Sequence, residues 1–408
     1  MANVKYWIWL STRKGLGPLG ALRLLDYFET PEKVYFSDPE RYSLVEGIPP
    51  HIQAALREKD MSAVDKILGD CDRLGLRVMT LQDADYPERL RNISDPPLVL
   101  YIRGRMPVFD EEVAIGVVGT RNPTQYGMTM AAKLGYELAR GGAVVVSGIA
   151  KGLDAAALRG ALNAGGTVVS VLGGGTDVYY PRENRYLYED VAAAGALISE
   201  YPPGTENKGA HFPIRNRIIS GLSQGVVAVE CDERSGTMST MNRAYDQDRD
   251  LFAVPGPVGA PKSKGPNYLI QHGAKLVRCG EDILMEYRSR YPNKVGDGPE
   301  LVGKAQEQRM EEAVKGWVEE SQAPIPEKKP PADDRELVRR EEEQSRFTDD
   351  ELAVLRALGD KQRSTDELVE LTQIPVRRVT TALTMLQVNG AVQEGTGRRF
   401  NALVRLED

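Results

Sequence analysis

The 408-residue chain has only three cysteines, Cys71, Cys231 and Cys279, far apart and odd in number. That excludes a disulfide framework and fits a reducing cytoplasm. Histidine is equally scarce: His51, His211 and His272 stand apart from any cysteine cluster, so no zinc or other metal site is expected. No run of about 18 apolar residues occurs, which argues against a transmembrane helix. The N-terminal apolar stretch is too short for a signal peptide. Basic residues are outnumbered, 52 against 59 acidic, for a net charge of −7. Such a chain is not a polycation that coats nucleic acid indiscriminately.

What is present is globular in composition, with 41% hydrophobic and 27% charged residues. Residues 1–80 carry two similar phrases. Gly15-Leu16-Gly17-Pro18 precedes ALRLLDYF, and Gly47-Ile48-Pro49-Pro50 precedes HIQAALREKD. Glycine frees each turn and proline suits a first helical turn. This suggests a helical domain of helix-hairpin-helix or SAM-like type, whose helix-start amides can receive a DNA phosphate. The pattern equally suits a small bundle whose hairpins only pack.

Residues 81–288 have a different pattern. VAIGVVG, AVVVSG, TVVSVLGGG, GALISE, GVVAVE and LFAVPG are short β-branched runs separated by helical segments. Fully apolar strands alternating with helices indicate a parallel sheet covered on both faces. The fold class is therefore α/β, with an extended Rossmann-like core from about Glu111 to Tyr287. Residues 289–346 are charged and proline-rich and read as a solvated linker, with Trp317 as its lone tryptophan. Residues 347–408 read as three helices and a hairpin, a winged helix. Thr348 and Glu351 have capping-box spacing, and Asn389-Gly390 stops the third helix. Arg377, Arg378 and Thr381 should face outward from that helix, and Val379, Leu383 and Leu386 inward. With slightly more acidic than basic groups, this domain suits a protein partner better than DNA.

Ligands of open α/β sheets sit beyond the C-terminal ends of the strands. There the chain places Gly119 and Arg121, then Ser147, Gly148 and Lys151, then Gly173-Gly174-Gly175 and Arg182. No strand is followed by GxGxxG or GxxxxGK[ST], so no nucleotide cofactor is expected. Small residues leading into several helix N-termini on one rim instead suit a phosphate-rich ligand. The segment Lys208 to Arg217 adds cations, Asn216 and the aromatic Phe212. Cations interleaved with an aromatic suit a single strand, with phosphates on Lys208 and Arg215 and a base on Phe212. Arg217 either joins this set or braces the loop. Asp154 is expected to cap or brace a helix, and Glu230 to orient the Ser235–Thr237 turn.

VGTR, SGIAKGLDAAA, LGGGTDVYYPREN, SEYPPG, HFPIRNRIISGLS, RSGTMST and DLFAVPGP…GPNYLIQHGAKLV occur in that order. Over about Ala84 to Val277 the chain resembles the DNA-processing protein A (DprA/Smf) family. The resemblance implies a non-enzymatic recombination mediator. Such a protein binds and protects incoming single-stranded DNA and loads RecA recombinase, as in natural transformation. It further implies DNA contacts at Arg121, Arg182, Lys208, Phe212, Arg215 and Asn216. A homodimer interface is implied around Asn267, Ile270 and Leu276, and a RecA-facing surface at Tyr245 and Asp250. The chain departs from the pattern at Ala157, where the family often has histidine, and at Pro266 before Asn267. Two other readings are a nucleotide-hydrolysing Rossmann enzyme of the LOG type and a transcription regulator acting through the winged helix.

Overall fold

The computed structural model describes residues 3–296, 336–359, 362–395 and 399–407; Trp317 and most of the expected linker lie outside them. The chain divides into two units, and the described residues of the first end at 296.

The first unit opens with five helices, α1 (Val4–Ser11), α2 (Gly17–Phe28), α3 (Pro31–Phe36), α4 (Pro50–Arg57) and α5 (Ser62–Leu74). A nine-stranded sheet follows: β1 (Arg77–Thr80), β2 (Val99–Gly104), β3 (Ala114–Val118), β4 (Val144–Ser147), β5 (Val168–Val171), β6 (Ala196–Ser199), β7 (Gly225–Ala228), β8 (Asp250–Ala253) and β9 (Lys275–Leu276). Their order in the sheet is β1-β2-β6-β5-β4-β3-β7-β8-β9. From β6 to β9 all pairings are parallel, while β2 joins β6, and β1 joins β2, antiparallel.

Each central strand is buried on both faces, so its alternating side chains serve two cores. Ile115 and Val117 of β3 meet one face, with α7 (Gln125–Arg140) and α8 (Leu153–Asn163). Ala114 and Val118 meet the other, with α10 (His211–Leu222) and α11 (Gly236–Asp246). Two longer helices add to the layers, α9 (Arg185–Ala194) after β5 and α12 (Lys264–Gln271) before β9; of two four-residue turns, α6 (Glu88–Arg91) lies between β1 and β2 and α13 (Glu281–Leu284) follows β9, burying Ile283 and Leu284.

Three boundaries move from those the sequence suggested. Residues 77–80, assigned above to the helical region, are an edge strand of the sheet. The helices before them share one core with Leu98, Val99 and Tyr101. The reach attributed to a linker is ordered at both ends. Val295 is buried against the sheet, Tyr291 bonds Gln224, and Lys294 pairs with Glu112 at 2.5 Å. At the other end, residues 336–346 belong to the winged helix.

In the second unit, Glu336–Val338 pairs in parallel with Val404–Leu406, and Val338 is fully buried. Helices Asp349–Leu358, Thr365–Thr372 and Val376–Val388 follow, then the antiparallel pair Val392–Gly395 and Arg399–Ala402. The capping box is present: Thr348 accepts from the Glu351 amide and Glu351 accepts from the Thr348 amide. Val379, Leu383 and Leu386 are buried while Arg377, Arg378 and Thr381 are exposed. Arg378 is held by Asp350 at 2.6 Å.

Trp9 is the largest fully buried side chain among the described residues. Its indole N–H donates to the Glu58 carbonyl at 3.0 Å, and Tyr35 meets its ring edge-on at 5.1 Å. Trp9→Ala should destabilise the first unit by about 3–5 kcal/mol in denaturant unfolding, through the cavity it leaves. A loss under about 1 kcal/mol would show that this core collapses around the gap.

Candidate nucleic-acid interface

The strand order reverses between β3 and β7, where the connections leave in opposite directions. A crevice opens outside the strand ends at such a point. Here it is a pocket of about 340 Å³, walled by the ends of β3 and β4 and by the first turns of α10 and α11. The sequence segment HFPIRNR forms the first two turns of α10. At 3.6 residues per turn, Phe212, Arg215, Asn216 and Ile219 fall on one face, and all four line the pocket.

Arg215 lies beneath the rim rather than on it, 4% exposed. Its guanidinium donates to the carbonyls of Gly148, at 3.0 Å, and Val171, while its Nε has no partner among the described residues. Burial pulls the Arg215 pKa down, opposed by the charge of Asp154. Burial likewise pushes the Asp154 carboxyl up, opposed by Arg215 and by the Gly148 amide, which donates to it at 3.2 Å. A donor buried without an acceptor is rare and needs an explanation. The Arg215 side chain lines the pocket, with the Phe212 ring 5.9 Å from its guanidinium.

The two glycines expected to contact ligand make this packing possible. A Cβ on Gly148 would lie 2.3 Å from the Arg215 guanidinium, and one on Gly119 would lie 2.2 Å from Leu153. Ser147 is fully buried, its hydroxyl donating to the Val117 carbonyl at 2.7 Å. Asn216 is 8% exposed and reaches the Gly236 carbonyl at 3.4 Å, tying α10 to the start of α11. These four therefore shape the pocket from below.

Arg121 lines the pocket, and Lys151, Arg182 and Lys208 lie on the loops and turn that follow β4, β5 and β6; all four are exposed, with no carboxylate within ion-pair distance among the described residues. The Arg121 guanidinium sits 4.8 Å from the centre of the half-buried Phe212 ring. Tyr180, 44% exposed, stands 5.5 Å from the same ring, and Tyr201 and His211 stack at 4.2 Å. Sequence reasoning missed these last three. The only signal for them was aromatic residues flanking the glycine-rich and HFP motifs.

Two expectations need correction. Arg217 is 1% exposed and turned away from the pocket, paired with Glu200 at 2.7 Å and Asp95 at 3.3 Å. Burial works against its charge, but the two carboxylates outweigh it and hold the pKa above the usual arginine value. It follows Arg215 by two residues, so the helix sends it to another side. Glu230 does not orient the Ser235–Thr237 turn. Its carboxylate accepts from the amide and hydroxyl of Thr124, at 2.9 and 2.5 Å, fixing the start of α7. Ser235 caps α11 itself, accepting from the Met238 amide.

The remaining residues lie elsewhere. Asn267 and Ile270 are on α12, and Leu276 is 42% exposed on the edge strand β9. Asn267 is turned inward, exchanging two hydrogen bonds with the Gly256 backbone. Tyr245, 72% exposed, ends α11, and Asp250 starts β8 while accepting from the Tyr287 hydroxyl at 2.7 Å. Both sit at the end of the sheet opposite the pocket. No group of three or more His, Cys, Asp or Glu converges among the described residues, and none of their helices is long and apolar enough to cross a membrane. Arg217→Met should cost about 3–5 kcal/mol in urea unfolding, because it strands two carboxylates. A loss near zero would mean that water already screens this pair.

Residues 77–288 match the family described as DNA recombination-mediator protein A, and residues 326–398 match the DprA winged helix domain. The DNA processing protein DprA of Bacillus subtilis is 42% identical over 225 residues, 55% of this chain and 76% of that protein. Protein Smf of a Synechocystis species is 30% identical over 417 residues, 98% of this chain and 99% of its own length. The X-ray structure of DNA processing protein A from Streptococcus pneumoniae superposes with a TM-score of 0.62 at 33% identity, covering 69% of this chain and 97% of that one. Sequence, sheet and winged helix agree, and the chain belongs to the DNA recombination-mediator protein A family.

Proposed function

We propose that the rim binds single-stranded DNA and that the protein is a non-enzymatic recombination mediator, shielding the strand and loading RecA recombinase onto it, as in natural transformation. The observation that carries the first step is the pairing of Arg121 with the Phe212 ring at the pocket, 4.8 Å apart, with exposed Lys151, Arg182 and Lys208 on the loops and turn that follow β4, β5 and β6. The exposed cations can receive phosphates, and the aromatic ring supplies a platform for a base. A single strand offers its base faces, whereas a duplex keeps them stacked inside and asks for a helix or ribbon that fits a groove. The contacts carry little base information, so sequence preference should be low.

On this reading RecA meets Tyr245 and Asp250, away from the rim. On this reading the homodimer forms at α12 and β9, where a sheet edge unpaired among the described residues and the exposed Leu276 invite a second copy. Two joined rims would hold one strand bivalently and raise avidity without new contacts.

Replacing Arg121 and Lys208 together with glutamate should abolish oligo-dT binding in a gel shift while the circular dichroism spectrum stays unchanged. At intermediate charge loss, with alanine at both positions, the slope of log K against log salt should become shallower by about 1.4, from about 0.7 per phosphate contact on a single strand. Undiminished binding by the glutamate variant would sink the rim as the site. Acceleration of RecA filament assembly on the same strand checks the loading step. For the dimer, Leu276→Glu should give a monomer by light scattering at micromolar concentration. A wild-type monomer under those conditions would contradict the assignment.

A further inference from the structure

Beside the rim lies a second, larger cleft of about 580 Å³, between the loop joining β3 to α7 and the loop joining β8 to α12. Thr124, Tyr126 and Glu230 line one side, and Pro255, Pro257 and Pro261 the other. Pro255 and Pro257 belong to the DLFAVPGP motif, for which no contact is assigned above. We propose that this cleft holds one unpaired base of the DNA strand whose phosphates lie on the rim, stacked on Tyr126 against the proline wall. The inference rests on the single-strand reading of the rim.

The chemistry of the walls selects a flat apolar guest. The pyrrolidine rings carry no N–H donor, and the Tyr126 ring is 46% exposed. The one cation at the cleft, Lys262, is already paired with Asp232 at 2.8 Å. The buried carboxylate of Glu230 lies at the floor, so a phosphate is unwelcome there. A base can enter while its phosphates stay outside.

Both walls are fixed in advance. The Tyr126 hydroxyl donates to the Pro255 carbonyl at 3.0 Å, which holds the ring in one orientation. Burial and the charge of Glu230 push that hydroxyl upward in pKa, so it remains a donor at neutral pH. Asn267 clamps Gly256 through both its backbone groups, at 3.2 and 2.9 Å. The Lys262 carbonyl accepts from the Cys231 amide at 2.9 Å. A preformed site avoids the ordering cost that a loose one meets on binding.

Continuity with the rim identifies the guest as part of the same strand. Arg121 lines the first pocket and Thr124 the second, three residues on, at most about 11 Å along the chain. The Thr120 amide donates to the Glu230 carbonyl at 2.8 Å, so the two sites share a wall. A nucleotide on Arg121 therefore has a neighbour within reach of Tyr126.

The test uses the full-length protein and oligo-dT, with affinity measured by fluorescence anisotropy across salt. Tyr126→Ala should weaken binding about 5- to 150-fold, the range for one lost base–aromatic stack, without changing the salt slope, because no phosphate contact is removed. Tyr126→Phe keeps the ring and should bind within about twofold of wild type. A role limited to bracing the Pro255 loop through the hydroxyl predicts the opposite, an equal loss in both variants, and would overturn the proposal. So would wild-type affinity in Tyr126→Ala beside lost binding in the Arg121 and Lys208 double variant, which spares the rim reading. Undiminished binding in both overturns the rim and the cleft together.

Discussion

The charge of Arg215, buried under the ends of β4 and β5, is the constraint on which the rest of the site depends. A guanidinium taken out of water costs several kcal/mol unless carbonyls and a counter-charge replace the solvent. Gly148 and Val171 supply the carbonyls and Asp154 the counter-charge. That solution forces glycine at 148, because any side chain there would occupy the guanidinium's place. It also fixes the phase of α10, which sets Phe212 one turn earlier on the same face. The rim is thus built outward from a buried cation, with surface cations added above it.

Much of this architecture was legible because it follows from periodicity. Runs such as VAIGVVG and AVVV carry no polar side chain, and the structure buries them on both faces. Thr348 and Glu351 announce a capping box by spacing alone, and the box forms. The edges of the sheet were harder. Arg77–Thr80 is half polar and only four residues long, so it carries no strand signal of its own and exists because β2 templates it. Residues 289–296 look like linker by composition, yet Tyr291 and Val295, one turn apart, meet the core.

Within the site, residue types were legible and their directions were not. HFPIRNR reads as a cluster of cations and an aromatic, and only its helical conformation separates Arg215, under the pocket, from Arg217, locked onto Glu200 and Asp95. Glu230 reads as a partner for the nearest hydroxyls in sequence, Ser235 and Thr237. Parallel strand pairing instead brings β3 beside β7, so Thr124, over a hundred residues earlier, is closer. The net charge of −7 misled least once it was taken by region. Each region is within a few charges of neutral, and the four exposed cations are gathered on one rim.

Helix α11 begins at the pocket, where Gly236 and Thr237 line it, and ends at Tyr245 on the far end of the sheet. Its 11 residues span about 16 Å. Two macromolecules approaching from opposite ends of this rod would not contend for the same surface. On the proposed reading, a nucleic acid at one end and a protein at the other would be joined by one rigid helix rather than by a loop.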